Sequence, residues 1–249
     1  MRRVAAHLTL FRISLPLCLG VALWGILSPE TLASNATALQ GRVFDALDWF
    51  FMGSVTTFLL VAISLAISKY GRLRLGGPDS KPDFSTASWL SMLFSAGIGS
   101  GLLFWGVAEP VTHFAHPPGG VPGSTEAARG AMLLTNFHWG LHAWAVYGMA
   151  ALVLGFFAFR RGTPYLAGAP IREGFSGRWV KPVAGGADLL AVVGVAFGVA
   201  GALVMGVQQL QAGLNVTLGL SADSKSVGLM LLGFITVAFL ISSSTSLDK

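Results

Sequence analysis

The stretch SAGIGSGLLFWGVAEP, residues 95–110, places three closely spaced glycines inside an apolar run that can cross a bilayer. They are Gly97, Gly99 and Gly101. Glycine is the poorest helix former after proline, so the run is expected to interrupt the helix at membrane depth. Irregular backbone survives there only when it is buried in protein or lines a solute cavity. Close packing of helices through small residues is the alternative interpretation.

The composition indicates a polytopic membrane protein. The chain is 53% hydrophobic and 11% charged, whereas a soluble domain averages about 25% charged residues. The net charge of +5 does not indicate a nucleic-acid partner, because the basic residues fall in short loops between apolar runs. The single Cys18 lies within an apolar run, which excludes a disulfide framework and a cysteine metal site.

Six apolar runs are predicted to span the membrane, at residues 10–28, 48–68, 88–110, 130–158, 187–215 and 226–243. The basic residues alternate between the two sides. One side carries Arg2, Arg3, Lys69, Arg72, Arg74, Lys81, Arg160, Arg161, Arg172, Arg178 and Lys181, and the other carries Arg42, Arg129 and Lys225. The positive-inside rule therefore places both ends of this chain in the cytoplasm. For residues 1–36, a cleavable signal peptide is an alternative that leaves the remaining topology unchanged.

Acidic residues and a proline lie close to the predicted ends of two spans. Pro110, directly after Glu109, is expected to end the third spanning helix near the outer boundary. Asp188 opens the fifth predicted span, where an acidic residue favours the N-terminus of a helix. We therefore predict that Asp188 caps that helix.

An aromatic face is predicted in the middle of the fourth span. On a continuous helix of about 100° per residue, Trp139, Trp144 and Tyr147 share one side. Tryptophan and tyrosine normally gather at the membrane interface, whereas these three lie mid-span. Ring faces can hold a quaternary ammonium group, a cation that cannot donate a hydrogen bond. Ordinary helix packing is the alternative.

Two histidines, His138 and His142, lie on the other side of the same predicted helix at i and i+4. The spacing suits zinc, but no glutamate stands between them and the sequence offers no evident third ligand. We expect hydrogen bonds between helices and no metal site, with a proton relay as a second role. A membrane-embedded metalloenzyme that uses both histidines is the alternative function.

Four segments together resemble the betaine/carnitine/choline transporter family. They are SKYGRLRLG at 68–76, FSTASWLSMLF at 84–94, the triple-glycine stretch through Pro110, and FHWGLH at 137–142. The resemblance implies an all-α fold, a polytopic bundle of twelve spans in the LeuT-like inverted-repeat arrangement, of which this chain carries about six. Residues 1–86 would be an N-terminal segment with two peripheral helices. Residues 87–249 would be the first four helices of the first repeat.

The resemblance also implies a substrate site. Trp139, Trp144 and Tyr147 match the family's aromatic cage. The run Gly97, Gly99, Ser100 and Gly101 matches its unwound substrate helix, although members commonly carry an apolar residue where this chain has Ser100. The backbone of Ser95 and Ile98 falls where sodium-coupled members place part of an ion site.

Secondary transport of a quaternary ammonium solute such as glycine betaine, choline or carnitine is the function implied, mostly for osmotic protection. The resemblance implies no enzyme activity, no cofactor, a homotrimer, and a location in the plasma (inner) membrane. The fifth span lacks hydroxyl residues from Ala187 to Val216, with Val195 and Val199 in the region where sodium-coupled relatives use them. This favours coupling other than two sodium ions and leaves a proton, one sodium ion or exchange open. Because the chain stops after the sixth span, we expect an N-terminal fragment that does not transport alone.

Overall fold

The computed structural model describes residues 2–77, 79–97, 99–219 and 224–244, with side chains at all of these except 2–8, 95–97 and 100. Within these ranges every regular element is helical, which confirms the all-α prediction. The α-helices are α1 (Arg2–Leu27), α2 (Pro29–Ile67), α3 (Thr86–Gly97), α4 (Ser100–Ala115), α5 (Thr125–Trp139), α6 (Leu141–Gly155), α7 (Ala169–Gly174), α8 (Val180–Leu218) and α9 (Lys225–Ser244). A 3-10 turn at Lys69–Arg72 follows α2, and a π-helical turn at Phe156–Arg160 continues α6.

Five stretches of helix in the described part of the chain are long and apolar enough to cross a membrane. They are Thr9–Leu27, Pro29–Ile67, Thr125–Arg160, Val180–Leu218 and Lys225–Ser244. The predicted third span falls instead on α3 and α4, which have 12 and 16 residues. Each is shorter than the roughly 20 residues that a crossing needs. The predicted third span is therefore not among the five stretches, because the helix breaks at the glycines.

The second helix begins much earlier than predicted. We expected a span at 48–68, whereas α2 starts at Pro29 and runs for 39 residues. Proline is tolerated in the first turn, where no intrahelical N–H bond is lost, and Glu30 favours the positive end of the helix dipole. A helix of this length measures about 58 Å, well beyond the hydrocarbon thickness. Hydropathy detects only the part of α2 that is apolar enough to lie in lipid.

The fourth predicted span is also interrupted. The helix α5 ends at Trp139 and α6 begins at Leu141, with Gly140 between them at φ −85° and ψ −147°. A Cβ atom on residue 140 would collide with the backbone carbonyl oxygen of Asn136. Glycine is therefore required at this break, and the prediction of one continuous helix through residues 130–158 was wrong.

Pro110 does not end a helix. It lies inside α4, which continues to Ala115. A proline removes one backbone hydrogen bond, but spanning helices tolerate it where neighbouring groups satisfy the freed carbonyl. The predicted stop was wrong.

By contacts between Cα atoms, the chain divides into two compact units. Unit 1 comprises Met1–Lys81 and Asn136–Ala196, and unit 2 comprises Pro82–Thr135 and Phe197–Lys249. In unit 1, α2 packs along α6 and also against α1. The predicted boundary at residue 86 separates the peripheral helices from the first repeat, whereas the two units are defined by contacts. That boundary therefore stays a prediction.

Asp188 connects α7 to α8 within unit 1. Its side chain is buried, its Oδ2 lies 2.6 Å from Nη2 of Arg172, and its Oδ1 accepts a 2.6 Å hydrogen bond from the N–H of Gly168. Since α8 begins at Val180, Asp188 lies two turns inside the helix, and the prediction that it caps the N-terminus was wrong. A Cβ atom on Gly168 would collide with the carbonyl oxygen of Ala184, so glycine permits this close approach.

Replacing Asp188 by alanine is expected to lower the free energy of unfolding by about 2 kcal/mol. The buried N–H of Gly168 loses its acceptor and Arg172 loses its partner, although the guanidinium can still reach solvent. Chemical unfolding of the purified protein in detergent, followed by circular dichroism, measures the change.

The matched control is Glu173→Ala, which removes an exposed carboxylate from α7, the short helix that carries Arg172, and should cost less than about 0.5 kcal/mol. Equal stability of the two variants would contradict the role of Asp188.

Candidate functional site

The glycine stretch breaks the helix as predicted. The helix α3 ends at Gly97, Gly99 is extended at φ −70° and ψ 166°, and α4 starts at Ser100. Ile98 lies outside the described residues, as do the side chains of Ser95 and Ser100, so their predicted contributions stay predictions. Gly99 is the N-cap of α4 and has no side chain that could cap the helix. The first N–H groups of α4 and the positive end of its dipole are therefore suited to an anionic group.

Packing within unit 2 does not explain the glycine at position 101. A Cβ atom there would meet only the terminal methyl of Met205, at an ordinary contact distance of 4.0 Å. The backbone at Gly99 also has a conformation that other residues adopt. Neither turn geometry nor packing therefore requires glycine at positions 99 and 101. Glycine at these positions weakens the helix and leaves space beside its backbone.

The break at Gly140 changes the predicted aromatic face. The angles that placed Trp139 beside Trp144 and Tyr147 assumed one continuous helix, whereas Trp139 ends α5 and the other two belong to α6. The derivation of a single helical face was therefore wrong for Trp139. What links Trp139 to Trp144 is local geometry at the break.

Trp144 and Trp139 are connected through the backbone. The indole Nε1–H of Trp144 donates a 3.1 Å hydrogen bond to the carbonyl oxygen of Trp139, which is the last residue of α5. The carbonyls at a helix end lack intrahelical partners, and a bilayer interior offers no water for them. The bond therefore satisfies a group at the break and fixes the orientation of the indole.

Trp144 and Tyr147 form an open aromatic pair. Their ring centroids are 5.9 Å apart with an angle of 48° between the planes. The side chains are 49% and 70% exposed, so both rings have uncovered surface. Trp139 is partly buried. Two inclined rings at this separation can both lie within about 6 Å of one cation, the range of a cation–π contact.

The two histidines do not keep the spacing of a zinc pair on one helix. His138 belongs to α5 and His142 to α6, with the break between them. The ring of His142 lies against that of Phe137, with centroids 4.7 Å apart. His142 thus contacts an aromatic side chain, and the regular i, i+4 relation that suggested a metal is lost.

The Gly140 break was missed by sequence reasoning. Its signal was present in Trp139-Gly-Leu141, a glycine between two large apolar residues, but a single glycine is equally compatible with close packing. The glycine stretch and the aromatic residues belong to different units, so each is described by itself.

Comparison with known proteins identifies the family that the chain resembles. The model of the betaine/carnitine/choline family transporters (BCCT) matches residues 9–249. The chain is 36% identical over 241 residues to a probable glycine betaine transporter of Desulfitobacterium hafniense, covering 97% of this chain and 48% of the relative. It is 36% identical over 242 residues to the glycine betaine transporter OpuD of Bacillus subtilis, covering 97% and 47%.

A third relative is the high-affinity choline transport protein of Escherichia coli, 37% identical over 213 residues, with coverage of 84% of this chain and 31% of that protein. The chain thus spans about half the length, or less, of these curated relatives. Because the family model covers nearly all of the sequence and the helices are those of a multi-pass membrane protein, the chain belongs to the betaine/carnitine/choline transporter family.

Proposed function

We propose that this chain supplies part of a secondary active transporter that carries a quaternary ammonium solute across the plasma (inner) membrane, mostly for osmotic protection. The observation that carries the proposal is the open pair of Trp144 and Tyr147 beside the break at Gly140. The relatives named as glycine betaine and choline transporters support the solute class. The alternative, a metalloenzyme using His138 and His142, is not supported, because the family comprises transporters.

The aromatic pair suits a trimethylammonium group for a chemical reason. Such a group carries its charge on methyls and has no N–H to donate, so carboxylates and carbonyls cannot hydrogen-bond it. The negative faces of aromatic rings attract it, by about 0.5–1 kcal/mol at exposed sites and about 2 kcal/mol when water is excluded. Rings also bind the methyl surface through ordinary apolar contact.

The glycine break is proposed to contribute backbone groups to solute binding. Gly97, Gly99, Ser100 and Gly101 match the unwound substrate helix in the family resemblance. The uncapped N-terminus of α4 favours an anionic group such as the carboxylate of betaine or carnitine. Open space beside Gly101 would let a solute approach the backbone closely.

The coupling ion is proposed to be other than a pair of sodium ions. The helix α8 carries Val195 and Val199 where the resemblance expects hydroxyl groups, and its threonine, Thr217, donates a hydrogen bond to the carbonyl of Gly213. A proton, one sodium ion bound partly by the backbone of Ser95 and Ile98, or exchange fit this composition. We also propose no cofactor, cytoplasmic ends for this chain because of its charge distribution, and a homotrimer from the family resemblance.

Removing one ring of the cage is expected to weaken solute binding in the full-length carrier. Trp139→Ala or Tyr147→Ala should each raise the half-saturation concentration for betaine or choline at least roughly tenfold, which corresponds to about 1.4 kcal/mol of lost cation–π attraction. Uptake of radiolabelled solute into vesicles measures this change.

Two variants control for the chemistry. Tyr147→Phe keeps the ring and removes only the hydroxyl, so it should stay within about twofold of the parent. Trp49→Ala removes a 71% exposed indole from α2, away from the aromatic pair in sequence, and should have no effect. An unchanged half-saturation concentration in both Trp139→Ala and Tyr147→Ala would contradict the proposed aromatic cage.

A methyl group at position 101 is expected to impair transport without harming the fold. Gly101→Ala fits the packing and improves helix propensity, yet it narrows the space beside the first turn of α4. We expect at least about a fivefold rise in the half-saturation concentration with an unchanged or higher midpoint of thermal unfolding.

Gly106→Ala is the matched control, because it adds a methyl group to the same helix at a position with open space around it. It should transport as the parent does. If Gly101→Ala also transported normally, the glycine break would have no direct role in solute binding.

A further inference from the structure

A groove lies in unit 1 between the C-terminal end of α2 and the C-terminal end of α6. Its cavity volume is about 520 Å³. Apolar side chains line most of it, including Leu65 of α2, Leu152 of α6 and Phe156 of the π-helical turn. Tyr70 lines the end where the chain leaves α2. We call this cavity the basic-rimmed groove, because basic residues lie at one end of it.

A tight turn after α2 builds one wall of the basic-rimmed groove. The N–H of Gly71 donates a 3.1 Å hydrogen bond to the carbonyl of Ser68, and a Cβ atom on residue 71 would collide with the carbonyl oxygen of Ala66. The chain then passes α6, where a Cβ atom on the buried Gly155 would lie 3.3 Å from Cδ1 of Leu75. Two glycines thus permit the close packing that builds this wall.

Positive charge is concentrated at the rim. Lys69 and Arg72 belong to the 3-10 turn, and Arg160 ends the π-helical turn that follows α6; all three are exposed. The Nζ of Lys69 lies 5.4 Å from the centroid of the Tyr70 ring, which places an ammonium group beside a lining residue. The segments 61–77 and 149–165 contain five basic residues and no acidic residue. The apolar cavity therefore ends in a strongly cationic rim.

We propose that the basic-rimmed groove binds an anionic phospholipid, with an acyl chain along the apolar lining and the phosphate against Lys69, Arg72 and Arg160. Both walls are helices long and apolar enough to span a membrane, which makes lipid a natural occupant of the cavity. Basic pockets between spanning helices suit anionic headgroups, and each nearby lysine or arginine strengthens binding about fivefold. A zwitterionic lipid fills the groove equally well but gains little from the rim. Charge complementarity thus selects an anionic lipid.

Lipid binding to the purified protein in detergent tests the proposal directly. Native mass spectrometry during titration with phosphatidylglycerol or phosphatidylcholine gives the affinity for each lipid. We expect phosphatidylglycerol to bind at least about tenfold more tightly. The double variant Lys69→Gln/Arg72→Gln should lose about 25-fold in affinity for phosphatidylglycerol, about fivefold for each charge, and keep its affinity for phosphatidylcholine.

The matched control is Arg42→Gln/Arg129→Gln, which removes two exposed charges from α2 and α5 outside the rim and should change either affinity less than twofold. A second variant, Ala66→Trp, fills the groove from an exposed lining position and should weaken binding of both lipids. Circular dichroism checks that each variant is folded.

Three results would overturn the proposal: equal affinity for the two lipids, an equal loss in the control variant, or unchanged lipid binding in the groove-filling variant. Cross-linking between two copies of the chain through Ala66→Cys, with no effect of added lipid, would assign the groove to a protein interface instead. Because the measurement is lipid binding and not uptake, its failure leaves the proposed transport function untouched.

Discussion

A bilayer offers no hydrogen-bond partner to a free backbone N–H or C=O group, and this constraint governs the helix breaks within the third and fourth predicted spans. Each unsatisfied group in hydrocarbon costs several kcal/mol, so a spanning helix is interrupted only where something else serves the freed groups. Both interruptions occur at glycines, one between Gly97 and Ser100 and the other at Gly140. The chemistry proposed for the protein depends on how the freed groups are satisfied.

The two breaks satisfy this constraint in different ways. At Gly140, the indole of Trp144 donates to the carbonyl of Trp139, so an aromatic side chain becomes part of the backbone's hydrogen bonding. The same bond orients the indole beside Tyr147 and leaves ring surface for a cation. At the glycine stretch, the first N–H groups of α4 follow a residue without a capping side chain. An anionic solute group would suit those donors in the proposed transporter.

Much of the fold could be predicted from the sequence because lipid imposes simple rules. The length of the apolar runs and the low charge predicted spanning helices, and the glycine spacing predicted the break between α3 and α4. The start of α8 was misplaced because Pro182, Gly185 and Gly186 are typical of a loop, whereas the proline is accepted in the first turn. Asp188 was consequently taken for a cap when it is a buried partner of Arg172. Such pairings depend on three-dimensional contacts that periodicity does not report.

The candidate site was predicted by residue type more accurately than by geometry. Trp144 and Tyr147 do lie together, as the helical period predicted, because both belong to α6. Trp139 was placed on the same face by continuing the helical period through Gly140. The helix breaks there, and glycine is required because a Cβ atom would collide with the carbonyl oxygen of Asn136, a contact that the sequence does not report. The roles of these residues in binding a solute stay proposals, as do those of the residues around Ser95 and Ile98.

The most direct test of the central claim compares two solutes of nearly equal shape in the full-length carrier. One is choline, and the other is its uncharged isostere, in which carbon replaces the quaternary nitrogen. If aromatic rings recognise the charge, choline should compete for uptake of labelled substrate at least about tenfold better than the isostere. Equal competition would show that the rings provide only an apolar surface, and it would contradict the proposed recognition of a quaternary ammonium group.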